Sequence, residues 1–346
     1  MTGPTVPIDA WEAAVTGRSP GVLRVGLALP LTGPLAMTAP SALDLAGLAA
    51  DELNDAGGVR GRAVELVTVD AGRRPVEVAA DVAALHAAGA VDVFVGFSTS
   101  DVSRAVAAAL AGRAGYVFTP PHEGGRARPG VLRIGSSPLA QHAAALAWLV
   151  RHRHARRWLL LGTDYVWPQA VHRAARTVLA DLGAEVVDER LVPFGPMDPG
   201  PALDLVRRSR ADAVLLSLVG RDLVAFNRAF ARAGLDRRVV RLSGALEENG
   251  LYAVGGDSGG ELYACMPSFA APDGSGDEGQ LDLQERLAAR AGPSAPVVCA
   301  YARGVHDGVR TAAGLLGPGS GGPARPAPPR LARAEGLVFR EVAPRA

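Results

Sequence analysis

Short apolar runs alternate with amphipathic stretches along nearly the whole chain, and each period predicts its own element. Leu23–Leu29, Val64–Val69, Val91–Val95 and Tyr116–Phe118 read as short buried strands. Between them Leu43–Leu53, Val76–Ala88 and Val102–Leu110 repeat at helical spacing, the first stopped at Gly57-Gly58. After a short strand at Val131–Ile134 the series restarts with helix Pro138–Arg151. Its central strand starts at Trp158-Leu-Leu-Leu161 and is closed by Gly162. Helix Gln169–Leu182, strand Glu185–Val192, helix Ala202–Arg208, strand Ala213–Ser217, helix Leu223–Ala233 and strand Val239–Leu242 follow. Strand Glu261–Cys265 precedes a Gly/Asp-rich loop, Asp273–Gly279. Helices Leu281–Ala291 and Val298–Leu316 come next, then a Pro/Gly-rich linker, Gly317–Arg330, and a last strand at Leu337–Val342. This alternation predicts right-handed βαβ units and an α/β fold with parallel sheets. Two series of similar size suggest two lobes of one design with a cleft between them.

Composition narrows the reading. A length of 346 residues suits about two domains. The chain is 48% hydrophobic but only 5% aromatic, as in helix-flanked parallel sheets. A net charge of +1 argues against electrostatic capture of nucleic acid or acidic membrane. All 36 cationic side chains are Arg, which removes Schiff-base and P-loop lysine chemistry. No strand-to-helix turn carries a dinucleotide or P-loop glycine pattern, and no cofactor is expected. Cys265 and Cys299 lack zinc-ligand spacing; free buried thiols are the expectation, with a disulfide between them left open. Met1–Gly21 reads as a loose or weakly helical arm without a basic start and apolar run, and no stretch reaches membrane-spanning length. The chain as written is therefore expected in the cytoplasm; a trimmed leader would make it a periplasmic protein or an extracellular lipoprotein.

Several stretches carry candidate chemistry. Gly162-Thr-Asp-Tyr-Val-Trp-Pro168 follows the central strand, and Pro168 suits the first turn of a helix. Loops at the carboxyl ends of parallel strands are where open α/β sheets bind ligands, so Tyr165 and Trp167 form a candidate wall; packing in the core is the alternative. Ser98, Thr99, Ser100 and Asp101 open a helix, where hydroxyls and free amides hold a carboxylate or carbonyl oxygen, or one of them serves as an N-cap. Phe118-Thr119-Pro120-Pro121-His122-Glu123 ends the next strand in an extended loop suited to a binding wall. Gly256-Asp-Ser-Gly-Gly260 copies a serine-protease nucleophile signature, but in an α/β chain it reads as a turn. The run Arg151–Arg157 reads as a solvated helix end; His152 and His154, two apart, make a poor metal pair.

The order of motifs resembles the type I periplasmic-binding-protein family, in the branch of short-chain amide sensors and urea/amide-binding proteins. The carriers are Leu31-Thr-Gly-Pro34, the run Glu52-Leu-Asn-Asp-Ala-Gly-Gly-Val-Arg-Gly-Arg62, Val95-Gly96 with Ser100 and Arg104, Pro121-x-Glu-Gly124, Gly162–Pro168 and Ala211-Asp-Ala-Val214. The resemblance implies a two-lobed clamp that closes on a small ligand without changing it covalently. It implies an arm at 1–21, a first lobe at 22–135 plus 266–320 and a second at 136–265 plus 321–346. Ser100 matches a ligand-contacting Ser, Phe118 an aromatic position, and Pro120 a position where amide sensors carry Thr. His122 replaces a Tyr, while Tyr165 and Trp167 match the second lobe's cleft aromatics. The loops Leu218–Arg221, with Val219 and Gly220, and Ser243–Glu248, with Ser243 and Glu247, match the remaining second-lobe contacts. Missing hydroxyls at Phe118 and Pro120 weaken hydrogen bonding to an amide, and Thr119 and Ser98 are placed to compensate.

The implied partners are a small-molecule ligand, with a regulator protein or an ABC permease reading the bound state and a homodimer left open. The rival reading is a hydrolase of a small amide or ester using His122, Glu123 and Ser98 or Ser100. A DNA-binding repressor is set aside, since only some twenty residues precede the first strand.

Overall fold

A computed structural model describes residues 4–17, 19–270, 278–317 and 327–342. Most of the expected loop Asp273–Gly279 and of the linker Gly317–Arg330 lies outside the described residues. The chain divides into two compact units. The first comprises Met1–Pro120, Gly125–Gly135 and Asp282–Pro326; the second comprises Pro121–Gly124, Ser136–Leu281 and Ala327–Ala346.

The first unit is built on a six-stranded parallel sheet. Its strands are β1 (Ile8–Asp9), β2 (Val22–Leu29), β3 (Ala63–Asp70), β4 (Val93–Gly96), β5 (Gly115–Phe118) and β6 (Val131–Arg133), in the order β1-β3-β2-β4-β5-β6. Leu23, Val25, Leu27 and Leu29 of β2 all point to one face, where α2 (Ala39–Asp55) and α11 (Ala300–Leu316) pack on them. The other face is covered by α3 (Pro75–Ala87) and α4 (Ser100–Leu110). Helix α10 (Glu278–Ala291) adds Leu283 and Leu287 against Leu45 and Leu48 of α2. Polar contacts reinforce this packing: Glu52 on α2 meets Arg286, His306 at 3.1 Å and Arg310 at 2.7 Å. Burial pushes the Glu52 carboxyl up, but these cationic partners outweigh it and hold it at about 2.

The Asn-x-x-Gly-Gly-Val run turns out to be turn chemistry. Asn54 clasps the backbone of Val64, accepting from its N–H at 2.6 Å and donating to its carbonyl at 3.0 Å. Gly58 has φ +75°, and a Cβ there would lie 2.2 Å from the Arg62 carbonyl oxygen. The described part of the N-terminal arm is more ordered than its composition suggests. Asp9 caps α1 (Ala10–Thr16), and Arg24 of β2 reaches across to the carbonyls of Ala13 (3.0 Å) and Gly17 (2.7 Å).

The second unit repeats the design. Its sheet has the order β13-β12-β11-β10-β9-β7-β8, from β7 (Arg157–Thr163), β8 (Glu185–Val192), β9 (Ala213–Ser217), β10 (Val240–Ser243), β11 (Leu262–Met266), β12 (Arg330–Glu335) and β13 (Val338–Glu341). The first five strands are parallel; β12 and β13 join antiparallel. Helices α5 (Pro138–His152) and α6 (Val166–Asp181) pack side by side, while α7 (Gly200–Ser209), α8 (Gly220–Arg232) and α9 (Glu248–Val254) complete the layer set. The expected linker conceals the start of β12. Leu331, Ala332 and Ala334 are buried there, but the interleaved arginines hide the pattern.

Arg241 of β10 is buried in this unit, 1% exposed. It donates to Asp257 at 2.7 Å and Asn227 at 2.9 Å, and its guanidinium lies 4.8 Å from the Phe230 ring centre. Asp257 also accepts from Gly260 N at 2.8 Å, so the protease-like stretch is a turn folded round a buried cation. The basic run ends α5: Arg153 pairs with Glu261 and Arg157 with Glu185. Both cysteines are free and buried.

Candidate functional site

Open α/β sheets bind ligands outside the carboxyl ends of their strands, where strand order reverses. The reversal lies between β2 and β4 in the first sheet, and between β7 and β9 in the second. The predicted site residues stand at or follow the carboxyl ends of β4 and β5 in the first sheet and of β7, β9 and β10 in the second, with His122 in the loop after β5.

In the first unit the chain leaves β4 through Phe97-Ser98-Thr99 and enters α4. Thr99 has the extended backbone of an N-cap, yet its hydroxyl makes no capping bond, so the expected side-chain cap is absent there. Ser98 Oγ donates to the Thr99 carbonyl at 3.2 Å. Ser100 is 2% exposed and its hydroxyl finds no hydrogen-bond partner among the described residues. The first-turn amides of α4 and a buried hydroxyl thus lie together without a side-chain acceptor. On the adjacent strand, Thr119 donates to the Gly96 carbonyl from its amide at 2.9 Å and its hydroxyl at 3.3 Å. Phe118 turns inward, packing with Val102 and Val106 in the core, and Pro120 is buried.

In the second unit Tyr165 stands extended before α6 (φ −154°, ψ −178°) and Trp167 lies in its first turn. Their ring centres are 6.4 Å apart, and Phe194 from the loop after β8 stands 5.0 Å from Tyr165. Trp167 is 3% exposed, and neither its Nε1 nor the buried Thr163 hydroxyl has a partner among the described residues. Val219 and Gly220 open α8, where Val supplies no side-chain cap. Ser243 ends β10, fully buried, and accepts from Ala245 N at 3.1 Å. Glu247 caps α9, accepting from Asn249 N and Gly250 N at 2.9 and 3.1 Å. His122 is held by its own loop: Nδ1 accepts from Gly124 N at 2.9 Å.

The structure gives a distinct role to Glu248, which the sequence placed in a contact loop without singling it out, and adds His172 and His142. Glu248 is buried, accepts from Ala270 N at 2.7 Å through Oε1, and leaves Oε2 without a partner among the described residues. Burial, then the charge of Glu247, pushes its carboxyl up to about 8. The doubled Glu in an otherwise apolar strand-end loop was the available signal. Beneath the same edge, His172 bridges Ser217 (2.8 Å) and Glu189 (2.9 Å). His142 is fully enclosed, and burial lowers it to about 4. Gly162 and Gly244 make room for these rings: a Cβ would lie 3.0 Å from His172 Nε2 and 2.5 Å from His142 Nε2.

Among the described residues, no helix is long and apolar enough to cross a membrane, and no group of three or more His, Cys, Asp or Glu is placed to hold a metal.

A sequence model of a periplasmic binding protein family matches residues 22–324. Solved structures share the fold. One is the branched-chain amino acid transporter substrate-binding protein LivJ of Streptococcus pneumoniae in complex with isoleucine. It is 15% identical, with 93% of this chain and 100% of that one covered and a TM-score of 0.74. A second is an ABC-transporter solute-binding protein of R. palustris in complex with benzoate, 16% identical over 93% and 96% of the two chains, TM-score 0.76. An extracellular ligand-binding receptor of Rhodopseudomonas palustris HaA2 is 12% identical over 93% and 99%, TM-score 0.77. The α/β architecture expected from the sequence, with two sheet-centred units, is the fold these structures share.

Proposed function

We propose that this chain, which belongs to the periplasmic binding protein family, binds a small polar solute without transforming it. It acts as a ligand sensor or as the substrate-binding protein of an ABC transporter. The solute class we favour is a short amide, a urea-like molecule or a small amino acid. The observation that carries this reading is a set of buried polar atoms near strand carboxyl ends that lack partners among the described residues: Ser100 Oγ, Thr163 Oγ1, Trp167 Nε1 and Glu248 Oε2. Each such atom costs about 1–3 kcal/mol when left unmatched, a cost that a ligand would relieve. Ser100 with the α4 amides suits a ligand oxygen. Glu248, protonated near neutrality, suits a ligand N–H or carbonyl, and the Tyr165–Trp167 pair suits a flat or aliphatic body. Ser98, Thr99, Thr119, His122, Val219, Gly220, Ser243 and Glu247 belong to the same proposed set.

A second reading, an aromatic carboxylate, is favoured by the Tyr165–Trp167–Phe194 ring cluster. The R. palustris relative holds benzoate. A thermal-shift series with acetamide, butyramide, urea, isoleucine and benzoate tests both, since binding to the native state alone raises Tm. A rise with amides, urea or isoleucine supports the first reading, and a rise with benzoate alone selects the second. Turnover of an amide or ester by the purified protein, lost in His122→Ala, would overturn both in favour of the hydrolase.

A further inference from the structure

We propose that His172 is the positioning residue for the aromatic wall of the second unit: its ring, tied to the strands on either side of β7, fixes where Tyr165 and Trp167 stand. This role rests on those two rings being a ligand wall, as argued above. In the sheet β7 lies between β9 and β8. His172 Nε2 meets Ser217 Oγ of β9 at 2.8 Å, and Nδ1 meets Glu189 Oε1 of β8 at 2.9 Å. A Cβ at Gly162 of β7 would lie 3.0 Å from His172 Nε2 and 2.9 Å from Pro168 Cβ. The ring and the first turn of α6 therefore rest on the same bare strand position, and one imidazole binds α6 to two strands across a third. Arg176, one turn further along α6, also reaches Glu189.

The start of α6 is weakly secured by its own side chains. Tyr165 gives no capping hydrogen bond, and the first turn, Val166-Trp167-Pro168-Gln169, carries no acid to meet the helix dipole. The bond from Gln169 Nε2 to Asp164 Oδ1, at 2.9 Å, is exposed. His172 follows Pro168 by four positions, so the two share a stripe, and Trp167 lies on the same buried face. A displacement at His172 is carried to Trp167 through about one and a half hydrogen-bonded turns. Ionised Glu189 only accepts, so Nδ1 holds the proton and donates to it, while Nε2 accepts from the Ser217 hydroxyl. Burial lowers the His172 imidazole, with Glu189 offsetting part of the effect, and the ring stays neutral near neutrality with both bonds in this sense. Ser217, His172 and Glu189 are connected as nucleophile, base and acid are in acyl transfer. Ser217 and His172 are fully buried, however, so the relay joins elements instead of meeting a substrate.

The test labels the full chain with 5-fluorotryptophan. Of its four tryptophans, Trp167 is assigned as the fluorine resonance missing from Trp167→Phe. His172→Gln keeps a group that reaches Ser217 but not Glu189, and Ser217→Ala removes the β9 bond with little change of volume. Each should move the Trp167 resonance and leave that of Trp158, at the opposite end of β7, in place. Asp257→Asn, which weakens the second unit elsewhere, should lower Tm without moving it. Calorimetric titration with butyramide, isoleucine and benzoate is then run on the wild type, on both network variants and on Tyr165→Ala, at a temperature where circular dichroism shows each folded. For a probe that binds the wild type, His172→Gln and Ser217→Ala are expected to lose affinity, His172→Gln at least about tenfold. An unmoved Trp167 resonance in both variants overturns the proposal, and so does wild-type affinity in both. Wild-type affinity in Tyr165→Ala, or no binding of any probe to the wild type, overturns the wall reading on which the proposal stands, whatever the resonance does.

Discussion

The buried ion pair of Arg241 and Asp257 offers the sharpest test of how the second unit is held together. Both side chains are almost fully withdrawn from solvent, 1% and 3% exposed, and the guanidinium has two further contacts, Asn227 and the face of Phe230. Asp257→Ala leaves that buried cation with one neutral hydrogen bond, one ring and the Coulombic pull of Asp236. Breaking a buried pair in this way costs about 3–5 kcal/mol, more than the net worth of the pair itself. Asp257→Asn keeps an acceptor at the same place but gives up the charge, and should cost less than the alanine. Ser258, exposed beside Asp257, should be replaceable by alanine at little cost, within about 0.5 kcal/mol. Urea unfolding, followed by circular dichroism and by tryptophan fluorescence, to which Trp148, Trp158 and Trp167 of the second unit contribute, gives the three values. The second unit's transition should be compared with itself, because a two-unit chain need not unfold in one step. A loss below about 1 kcal/mol in Asp257→Ala would refute the argument, showing that Arg241 finds water or another anion.

Other expectations follow from the site. Glu248 has its folded carboxyl raised from 4.5 to about 8, so between those values the native state holds a proton that the unfolded chain releases. Its contribution to stability is therefore fully present below about pH 4.5 and is lost as pH rises through 8. Glu248→Gln should flatten that slope in denaturation curves taken from pH 5 to 9, and an unchanged slope would mean the carboxyl is solvated. Tyr165→Ala should abolish solute binding with Tm within a few degrees of wild type, as read by thermal shift. Trp167→Ala should also cost about 3–5 kcal/mol of stability because the ring is buried; equal melting of the two variants would contradict the burial described above.

The sheets were legible because buried runs such as Trp158–Leu161 and Ala213–Leu216 are apolar without interruption and the helices between them keep their period. What escaped were elements whose partners lie far away in sequence. Ile8–Asp9 is too short to show a period and exists only because β3 offers an open edge. Strand β12, paired on both sides by β11 and β13, carries two half-buried arginines that interrupt its apolar residues. The site was half legible. Strand-end loops could be located, and Tyr165, Trp167 and Ser100 stood out by type. Whether a polar atom there is satisfied depends on neighbours from other elements. That is why the unmatched Glu248 oxygen and the inward turn of Phe118 emerged only from the fold.

The two sulfhydryl groups are enclosed in separate units, and burial pushes the Cys265 thiol up so that the reactive thiolate is suppressed. Maleimide reagents should therefore leave the native protein untouched, and amine-directed dyes find no lysine to acylate. A cysteine installed at an exposed apolar position, Val76 on α3 or Leu337 in the β12–β13 turn, would be the sole site of attachment. Installed together, they would carry a fluorophore pair with one dye on each unit. Energy transfer between the dyes, recorded with and without solute, would show whether the two units change their separation when a ligand arrives.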